Sequence, residues 1–216
     1  MTGYPVVLTG LNRRRCVVVG GGQVAARKVK TLVEAGARPI VISPELCADL
    51  EQALAQDGVM VLRRAYQRGD LEGAALVIAA TNDRAVNQAI ADECQQRDVL
   101  LNVVDCPELC TFTLPSIIRR GALLVAIATG GGSPGFARHV RETLDPILDA
   151  AYGDMLEILS ELRPFIRRNV PRSTQRSLWE RLLDGEVMCC VRTEGVAAAR
   201  TLAEQIVRSY CECPTE

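Results

Sequence analysis

A chain of 216 residues can form one large domain, or one domain with a smaller partner. Its hydrophobic fraction of 48% and charged fraction of 24% are ordinary for a globular protein, and a net charge of −1 argues against a nucleic-acid partner. No apolar run approaches the roughly 18 residues of a membrane span, and no signal peptide is evident, so we expect no membrane partner.

The nine cysteines are scattered and form no C-x-x-C pair, and the chain contains a single histidine. Zinc sites use closely spaced cysteine and histidine ligands, and disulfides persist in oxidising compartments. We therefore predict free thiols, a cytoplasmic location and no bound metal.

The first half of the sequence alternates short apolar runs with stretches of helical periodicity. The predicted strands are 16–19, 40–43, 59–62, 76–80 and 99–104, and the predicted helices are 24–35, 46–56 and one that is capped by Asn82 or Asp83 and ends at Arg97. Apolar strands that alternate with helices form a parallel sheet covered on both faces. Right-handed crossovers then predict an α/β fold with a Rossmann-like order.

The pattern changes near Asp105. Residues 111–118 and 123–129 predict two antiparallel strands, and the chain after residue 150 is helical, with apolar stripes predicted at Leu156, Leu159, Leu162 and Ile166 and at Leu178, Leu182 and Leu183. We predict three parts: an NAD-binding Rossmann-like domain at 1–113, a small α/β dimerisation and substrate segment at 114–149, and a helical C-terminal domain at 150–216.

A glycine turn joins the first strand to the first helix. Gly20, Gly22 and Ala25 match the G-x-G-x-x-(G/A) spacing of a dinucleotide-binding unit. Gly20 allows a tight turn, and Gly22 lets the backbone approach a pyrophosphate at the positive end of the helix.

The ends of the other strands supply further candidates, because ligands bind at the carboxyl edge of an open parallel sheet. Ser43 ends the second strand, where dinucleotide sites usually carry an acidic residue, and no arginine follows to meet a 2′-phosphate, which favours NAD over NADP. Thr81 is either a cofactor contact or part of a helix cap. Asp105 is either a proton acceptor beside the nicotinamide or a turn residue before Pro107.

Five stretches in this order resemble the siroheme synthase family, in particular its standalone precorrin-2 dehydrogenase and sirohydrochlorin ferrochelatase module. They are the glycine turn at 17–28, Ala-Ala-Thr-Asn-Asp at 79–83, Asn-Val-Val-Asp at 102–105, Pro-Ser-Ile-Ile-Arg-Arg at 115–120 and Gly-Gly-Gly-Ser-Pro at 130–134. The resemblance is strong over residues 4–150 and loose in the remainder.

The resemblance implies oxidation of the tetrapyrrole precorrin-2 to sirohydrochlorin with NAD, by a homodimer in which Asp105 is catalytic. The cofactor contacts that we predict are Gly20, Gly22, Gln23, Val24, Ser43, Pro44, Glu45, Thr81 and Val104. The predicted substrate contacts are Ser116, Arg119, Arg120, Thr129, Gly131, Ser133 and Arg138, because arginines and free backbone N–H groups suit a carboxylate-rich substrate.

Two alternatives remain open from the sequence. The chain could insert ferrous iron as a ferrochelatase, with or without the oxidation, or it could be a non-catalytic module that senses NAD. No motif decides whether iron is a substrate.

Overall fold

The computed structural model describes residues 3–56 and 59–211. The chain divides into two compact units, Met1–Leu114 and Pro115–Glu216. Among the described residues, no helix combines the length and the apolar character that crossing a membrane requires.

A five-stranded parallel sheet forms the centre of the first unit. Its strands are β1 (Arg15–Val19), β2 (Ile40–Ile42), β3 (Met60–Leu62), β4 (Ala74–Ala79) and β5 (Leu100–Val103), in the spatial order β3-β2-β1-β4-β5. In the central strand, Val18 pairs with Val41 on one side and with Ile78 on the other. The predicted Rossmann-like parallel sheet is confirmed, including the reversal of strand order between β1 and β4.

Helices cover both faces of this sheet: α1 (Gln23–Glu34), α2 (Ala48–Gln56) and α3 (Arg84–Arg97). Successive side chains of β1 point to opposite faces. Val18 belongs to one buried cluster with α1 and α2 residues, and Val17 belongs to a second cluster with α3 residues. This is why the strands are almost purely apolar.

The predicted strand at 111–118 begins too early in the chain. The strand observed there is β6 (Ser116–Arg120). Thr111 and Phe112 instead donate their N–H groups to the carbonyl of Leu101, at 2.8 and 3.3 Å, and so lie along the edge strand β5. Pro115 has no N–H to donate, so strand pairing can only start after it.

Over residues 115–211, the second unit combines a β-hairpin with five helices. Strand β6 pairs antiparallel with β7 (Leu123–Ile127). The helices are α4 (Pro134–Leu144), α5 (Ala150–Asn169), α6 (Arg172–Leu182), α7 (Glu186–Thr193) and α8 (Val196–Cys211). Helices α5 to α8 enclose one apolar core.

Two of the predicted apolar stripes are partly wrong. The buried face of α5 contains Met155 and Ile158 with Leu162 and Ile166, whereas Leu156 and Leu159 are only half-buried. Leu183 is 62% exposed because α6 ends before it. The sequence carries more apolar residues in these segments than one helical face can bury.

Candidate active site

The carboxyl ends of the strands are aligned along one edge of the sheet. The Gly20 N–H donates to Ile42 at 2.9 Å, the Ala80 N–H to Val19 at 2.7 Å and the Val104 N–H to Ala79 at 2.9 Å. The ladder therefore continues one residue beyond β1, β4 and β5, and the loops that follow these strands leave the sheet at the same level. Open parallel sheets bind their ligands at this edge.

Three consecutive glycines follow β1, and each has a different environment. Gly20 has a φ of 121°, and a Cβ there would lie 2.3 Å from the carbonyl oxygen of Ala80. A Cβ on Gly21 would lie 1.8 Å from the carbonyl oxygen of Glu45, whereas a Cβ on Gly22 would meet no atom within 4 Å. The first two glycines therefore serve close packing, and only Gly22 borders open space. Gly21 was not among the predicted site residues.

The first turn of α1 offers unpaired donors. Gly22 is the N-cap and provides no side-chain cap, and the N–H groups of Gln23 and Val24 have no hydrogen-bond partner within the described ranges. A helix N-terminus with free N–H groups and no Cβ in the way fits a pyrophosphate. The residues present therefore suit a dinucleotide, as Gly22, Gln23 and Val24 predict.

The loop after β2 holds the glycine turn in place. Ser43 is buried, and its hydroxyl donates to the carbonyl of Glu45 at 2.7 Å. Cys47 N–H donates to the carbonyl of Gly21 at 2.8 Å. The Ser43 hydroxyl thus has a protein partner already, while Pro44 and Glu45 are exposed at the same edge.

The loop after β4 forms a helix cap. Asp83, not Asn82, is the N-cap of α3, and its carboxylate accepts from the N–H groups of Ala85 and Val86 at 2.8 and 3.1 Å. The Thr81 hydroxyl donates to Asn87 Oδ1 at 2.9 Å, and Asn87 Nδ2 donates to the Thr81 carbonyl at 3.1 Å. Asn87 is buried, and this pairing with Thr81 satisfies its side-chain amide.

The loop after β5 presents a carboxylate without a partner. Val104 is half-buried, and Asp105, which follows it, is exposed with a φ of 58° in the left-handed region. Aspartate is one of the few non-glycine residues that tolerate this conformation. No described side chain or backbone N–H forms a hydrogen bond or ion pair with the Asp105 carboxylate. Such a carboxylate can accept a proton from a ligand.

A lysine follows the glycine turn in the second turn of α1. Lys28 on α1 is half-buried, and burial is the main reason that the pKa of its ammonium group is lowered. Arg27 lowers this pKa further, and the charge of Asp105 acts in the opposite direction. Lys28 forms no ion pair within 4.0 Å and no hydrogen bond among the described residues.

The residues predicted to bind substrate all belong to the second unit, at the hairpin and around α4. Arg120 donates to the carbonyl and carboxylate of Asp145 at 2.9 and 3.1 Å, and exposed Arg138 pairs with Glu142 at 2.8 Å. Arg119 is exposed and has no acidic partner among the residues that the structure describes.

The loop before α4 is closed by local hydrogen bonds. The Thr129 hydroxyl accepts from Ser133 N–H at 3.2 Å, and Ser133 Oγ caps α4 by accepting from Phe136 N–H at 3.2 Å. Gly131 has a φ of 83°, which a glycine supplies without strain. Ser116 is half-buried in β6, on the hairpin that precedes this loop.

An open groove of about 570 Å³ lies between the hairpin turn and α5. Its walls include Arg119, Arg120, Asp154 and Glu157. A Cβ on Gly153 would lie 2.9 Å from the carbonyl oxygen of Arg120, so this glycine lets α5 approach the hairpin. Gly153 was not among the predicted site residues.

Two family models match the chain. A family described as "Putative NAD(P)-binding" matches residues 7–116, and the "Sirohaem synthase dimerisation region" matches residues 151–207. The second match covers the helical segment α5 to α8, whereas the predicted dimerisation segment was 114–149. That assignment stays a prediction.

Two relatives with similar sequences are named siroheme synthases. The chain is 40% identical to a siroheme synthase of Methylobacillus flagellatus over 198 residues, and 39% identical to that of Thioalkalivibrio sulfidiphilus over 207 residues. These matches cover 91% and 95% of this chain but 42% of each relative, so the chain spans about two fifths of their length.

A solved structure is similar over nearly the whole chain. It is titled "SirC, precorrin-2 dehydrogenase", and it matches with a TM-score of 0.76 and 28% identity over 96% of this chain and 100% of that one. The first family model covers just over half of the chain, over the sheet that carries the glycine turn and Asp105. The chain therefore belongs to this NAD(P)-binding family, and the similar proteins named above are siroheme synthases and a precorrin-2 dehydrogenase.

Proposed function

We propose that this chain oxidises precorrin-2 to sirohydrochlorin with NAD as the acceptor. The observation that carries the proposal is the pairing of two features on one sheet edge. Free N–H donors at the start of α1 suit a pyrophosphate, and the unpaired carboxylate of Asp105 follows β5 on the same edge. The similar structure named as a precorrin-2 dehydrogenase supports the choice of substrate.

The oxidation removes one hydride and one proton from the tetrapyrrole. Bound NAD supplies the hydride acceptor in its nicotinamide ring. The residues of this chain have three tasks. Gly22, Gln23 and Val24 bind the pyrophosphate, and the loops that contain Pro44, Glu45, Thr81 and Val104 border the cofactor. Asp105 accepts the proton from the substrate carbon, because its carboxylate has no competing donor in the protein.

The carboxylates of the tetrapyrrole need cationic partners. Among the predicted substrate residues, Arg119 is the best candidate because its guanidinium is exposed and unpaired in the described part of the chain. A guanidinium binds a carboxylate through two parallel hydrogen bonds. Arg120 and Arg138 already pair with Asp145 and Glu142, so they contribute positive charge more than free donors.

The assembly that we propose is a homodimer. It is supported by the match of residues 151–207 to a dimerisation region. The eight cysteines in the described part of the chain are all free thiols. This supports a reducing compartment, and we propose the cytoplasm.

The test is anaerobic absorbance of the purified protein with precorrin-2 and NAD, compared with an Asp105→Asn variant. Asparagine tolerates the left-handed backbone and lacks the basic oxygen, so the fold is kept and the base is lost. We expect NADH and a sirohydrochlorin spectrum from the wild type, and a rate lower by roughly a hundredfold or more in the variant.

Glu108→Gln is the matched control, because Glu108 is an exposed carboxylate three residues further along the same loop. It should keep the wild-type rate. Absence of NADH with the wild type would overturn the proposal. Ferrous iron added to sirohydrochlorin would then distinguish a ferrochelatase from a module that binds NAD without turnover.

A further inference from the structure

The carboxyl edge of the sheet holds an arginine that is not among the predicted cofactor contacts. Arg63 directly follows β3, and β3 pairs in parallel with β2, with Ile42 opposite Leu62. The Ser43 N–H donates to the carbonyl of Leu62 at 3.2 Å, so the pairing continues beyond β2 and places Arg63 opposite Ser43. Because neighbouring strands are about 4.8 Å apart, the backbone of Arg63 lies directly beside the residue that follows β2.

This end of the sheet is where Rossmann-like sites distinguish the two dinucleotides. The ribose of the adenosine half lies at the end of β2, where an acidic residue binds its 2′-hydroxyl in NAD and an arginine binds its 2′-phosphate in NADP. NAD was predicted because no arginine follows Ser43 in the chain, but the fold brings Arg63 to this place from β3. A preference for NAD therefore requires that this guanidinium is withheld from a 2′-phosphate.

A carboxylate of α2 occupies the guanidinium of Arg63. Arg63 Nη1 donates to Glu51 Oε1 at 2.8 Å, and Nη2 donates to Oε2 at 2.7 Å. The hydrogen bonds from Arg63 lower the pKa of Glu51, so the carboxylate is charged at neutral pH. These two parallel donors are the ones with which an arginine binds a phosphate. The side chains are 54% and 45% exposed, and exposed ion pairs contribute little to stability, so the pair is placed where a ligand can meet it.

The neighbouring charged side chains do not take part in this pair. Arg64 forms two hydrogen bonds of 2.7 Å with the Asp70 carboxylate, in the connection toward β4. Glu45 is exposed in the loop after β2, and its carbonyl, not its carboxylate, accepts from Ser43. Asp49 is exposed on α2 and forms no ion pair among the described residues, which makes it a matched control for Glu51.

We propose that the ion pair of Glu51 and Arg63 determines the preference for NAD over NADP. Glu51 occupies the donors of Arg63, and its negative charge repels a 2′-phosphate. To bind NADP, Arg63 would have to leave Glu51, and the carboxylate would then lie unpaired near a second anion, which is unfavourable. The 2′-hydroxyl of NAD carries no charge and requires no such exchange. This inference rests on the proposed function, because it takes the dinucleotide to bind at the start of α1.

Titration calorimetry of the full chain with NAD and with NADP, in the absence of precorrin-2, tests the proposal. We expect the wild type to bind NAD more tightly. In Glu51→Ala, the ratio of NADP affinity to NAD affinity should rise roughly tenfold, because the freed guanidinium gains a charge-assisted hydrogen bond to the phosphate. Adding Arg63→Gln to Glu51→Ala should remove this gain. Glu51→Gln, which keeps the length of the side chain and loses its charge, should raise the ratio in the same direction.

Asp49→Ala is the control, because it removes the same charge from the same helix. It should change the ratio by less than about twofold, since an exposed charge without a contact to the ligand is screened by water and salt. An unchanged ratio in Glu51→Ala overturns the proposal, and so does a wild type that binds NADP as tightly as NAD. A gain that persists without Arg63, or that Asp49→Ala or Glu45→Ala reproduces in full, also overturns it.

This proposal and the proposed function fail in different ways. A wild type that prefers NAD in calorimetry but forms no NADH from precorrin-2 overturns the dehydrogenase and leaves the role of the ion pair in place. A wild type that oxidises precorrin-2, together with an unchanged affinity ratio in Glu51→Ala, overturns the role of the ion pair alone.

Discussion

The carboxyl and amino edges of the parallel sheet differ in whether their polar groups have hydrogen-bond partners. At the carboxyl edge, the N–H groups of Gln23 and Val24 and the carboxylate of Asp105 have no partner among the described residues. At the amino edge, Arg15 at the start of β1 donates to the carbonyl of Asp70, and Arg64 forms two hydrogen bonds of 2.7 Å with the Asp70 carboxylate. Within the described part of the chain, the carboxyl edge thus has free donors and a free acceptor beside its paired groups, whereas the polar groups named at the amino edge are paired with one another.

A buried carboxylate is the centre of the amino edge. Glu93 on α3 is 1% exposed and accepts hydrogen bonds from Tyr66 at 2.5 Å, Gly69 N–H at 2.9 Å and Arg97 at 2.9 Å. Burial alone raises the pKa of Glu93, but these hydrogen bonds and the charge of Arg97 outweigh it, so the pKa is lowered. Burial and the bond to Glu93 raise the pKa of Tyr66, which keeps its donor proton. Glu93 thus ties the β3–β4 connection to α3.

The largest expected effect comes from removing this carboxylate. Glu93→Ala leaves the Tyr66 hydroxyl, the Gly69 N–H and the Arg97 guanidinium without their acceptor. We expect the free energy of unfolding to fall by about 3 kcal/mol, as for other buried ion pairs that lose one member. Urea denaturation measures it, and NAD affinity at moderate temperature should not change.

Asp92→Ala is the control for this experiment. Asp92 is the exposed neighbour of Glu93, and among the described residues its carboxylate accepts only from Gln88. Its replacement should change the free energy of unfolding by less than about 0.5 kcal/mol. If Glu93→Ala lowered NAD affinity as much as stability, the division of tasks between the two edges would be wrong.

At the carboxyl edge, substitutions at two neighbouring glycines allow an effect on stability to be told apart from an effect on NAD binding. Gly21→Ala puts a Cβ 1.8 Å from the carbonyl oxygen of Glu45, and backbone must move to relieve it. We expect a loss of about 2 kcal/mol in the free energy of unfolding. Gly22→Ala meets no protein atom within 4 Å, so stability should be kept. Its methyl group would stand where the pyrophosphate approaches, and NAD affinity should fall roughly tenfold.

Thermal unfolding and titration calorimetry of both variants provide the readout. We expect Gly21→Ala to lower the free energy of unfolding and Gly22→Ala to lower NAD affinity. A Gly22→Ala variant that binds NAD as the wild type does would mean that the pyrophosphate lies elsewhere.

The smallest expected effect is on how the free energy of unfolding depends on pH. Because the pKa of Glu93 is lower in the folded chain, its stabilising contribution is complete above the unfolded value of about 4.3 and disappears as the pH falls through the folded value. Tyr66→Phe removes one donor and should cost about 1 kcal/mol at neutral pH. The difference from the wild type should shrink toward pH 3.

Urea denaturation of wild type and Tyr66→Phe between pH 3 and 7 measures this difference. Tyr152→Phe is the control, since Tyr152 belongs to α5 of the second unit and no hydrogen bond joins it to Glu93 among the described residues. A difference that stays constant with pH would show that the Tyr66 hydroxyl does not act through the ionised form of Glu93.

Much of the site follows from local patterns in the sequence. The glycine turn between an apolar run and a helical stretch predicted the start of α1, and Asp105 was found because it follows an apolar strand. These predictions worked because strand, turn and helix N-terminus each depend on a few consecutive residues. The roles of Asp105 and of the other predicted ligands remain predictions.

The tertiary structure decided which polar groups are paired. Glu93 with Tyr66, and the Cys47 N–H with the carbonyl of Gly21, unite residues whose meeting depends on strand order and helix packing. Gly21 could be understood only once the β2 loop was placed against it. The sequence by itself thus determined most of the elements and the edge of the sheet at which ligands are expected. Whether a donor or acceptor at that edge is free depends on neighbours that are distant in the chain, and only the fold specifies those.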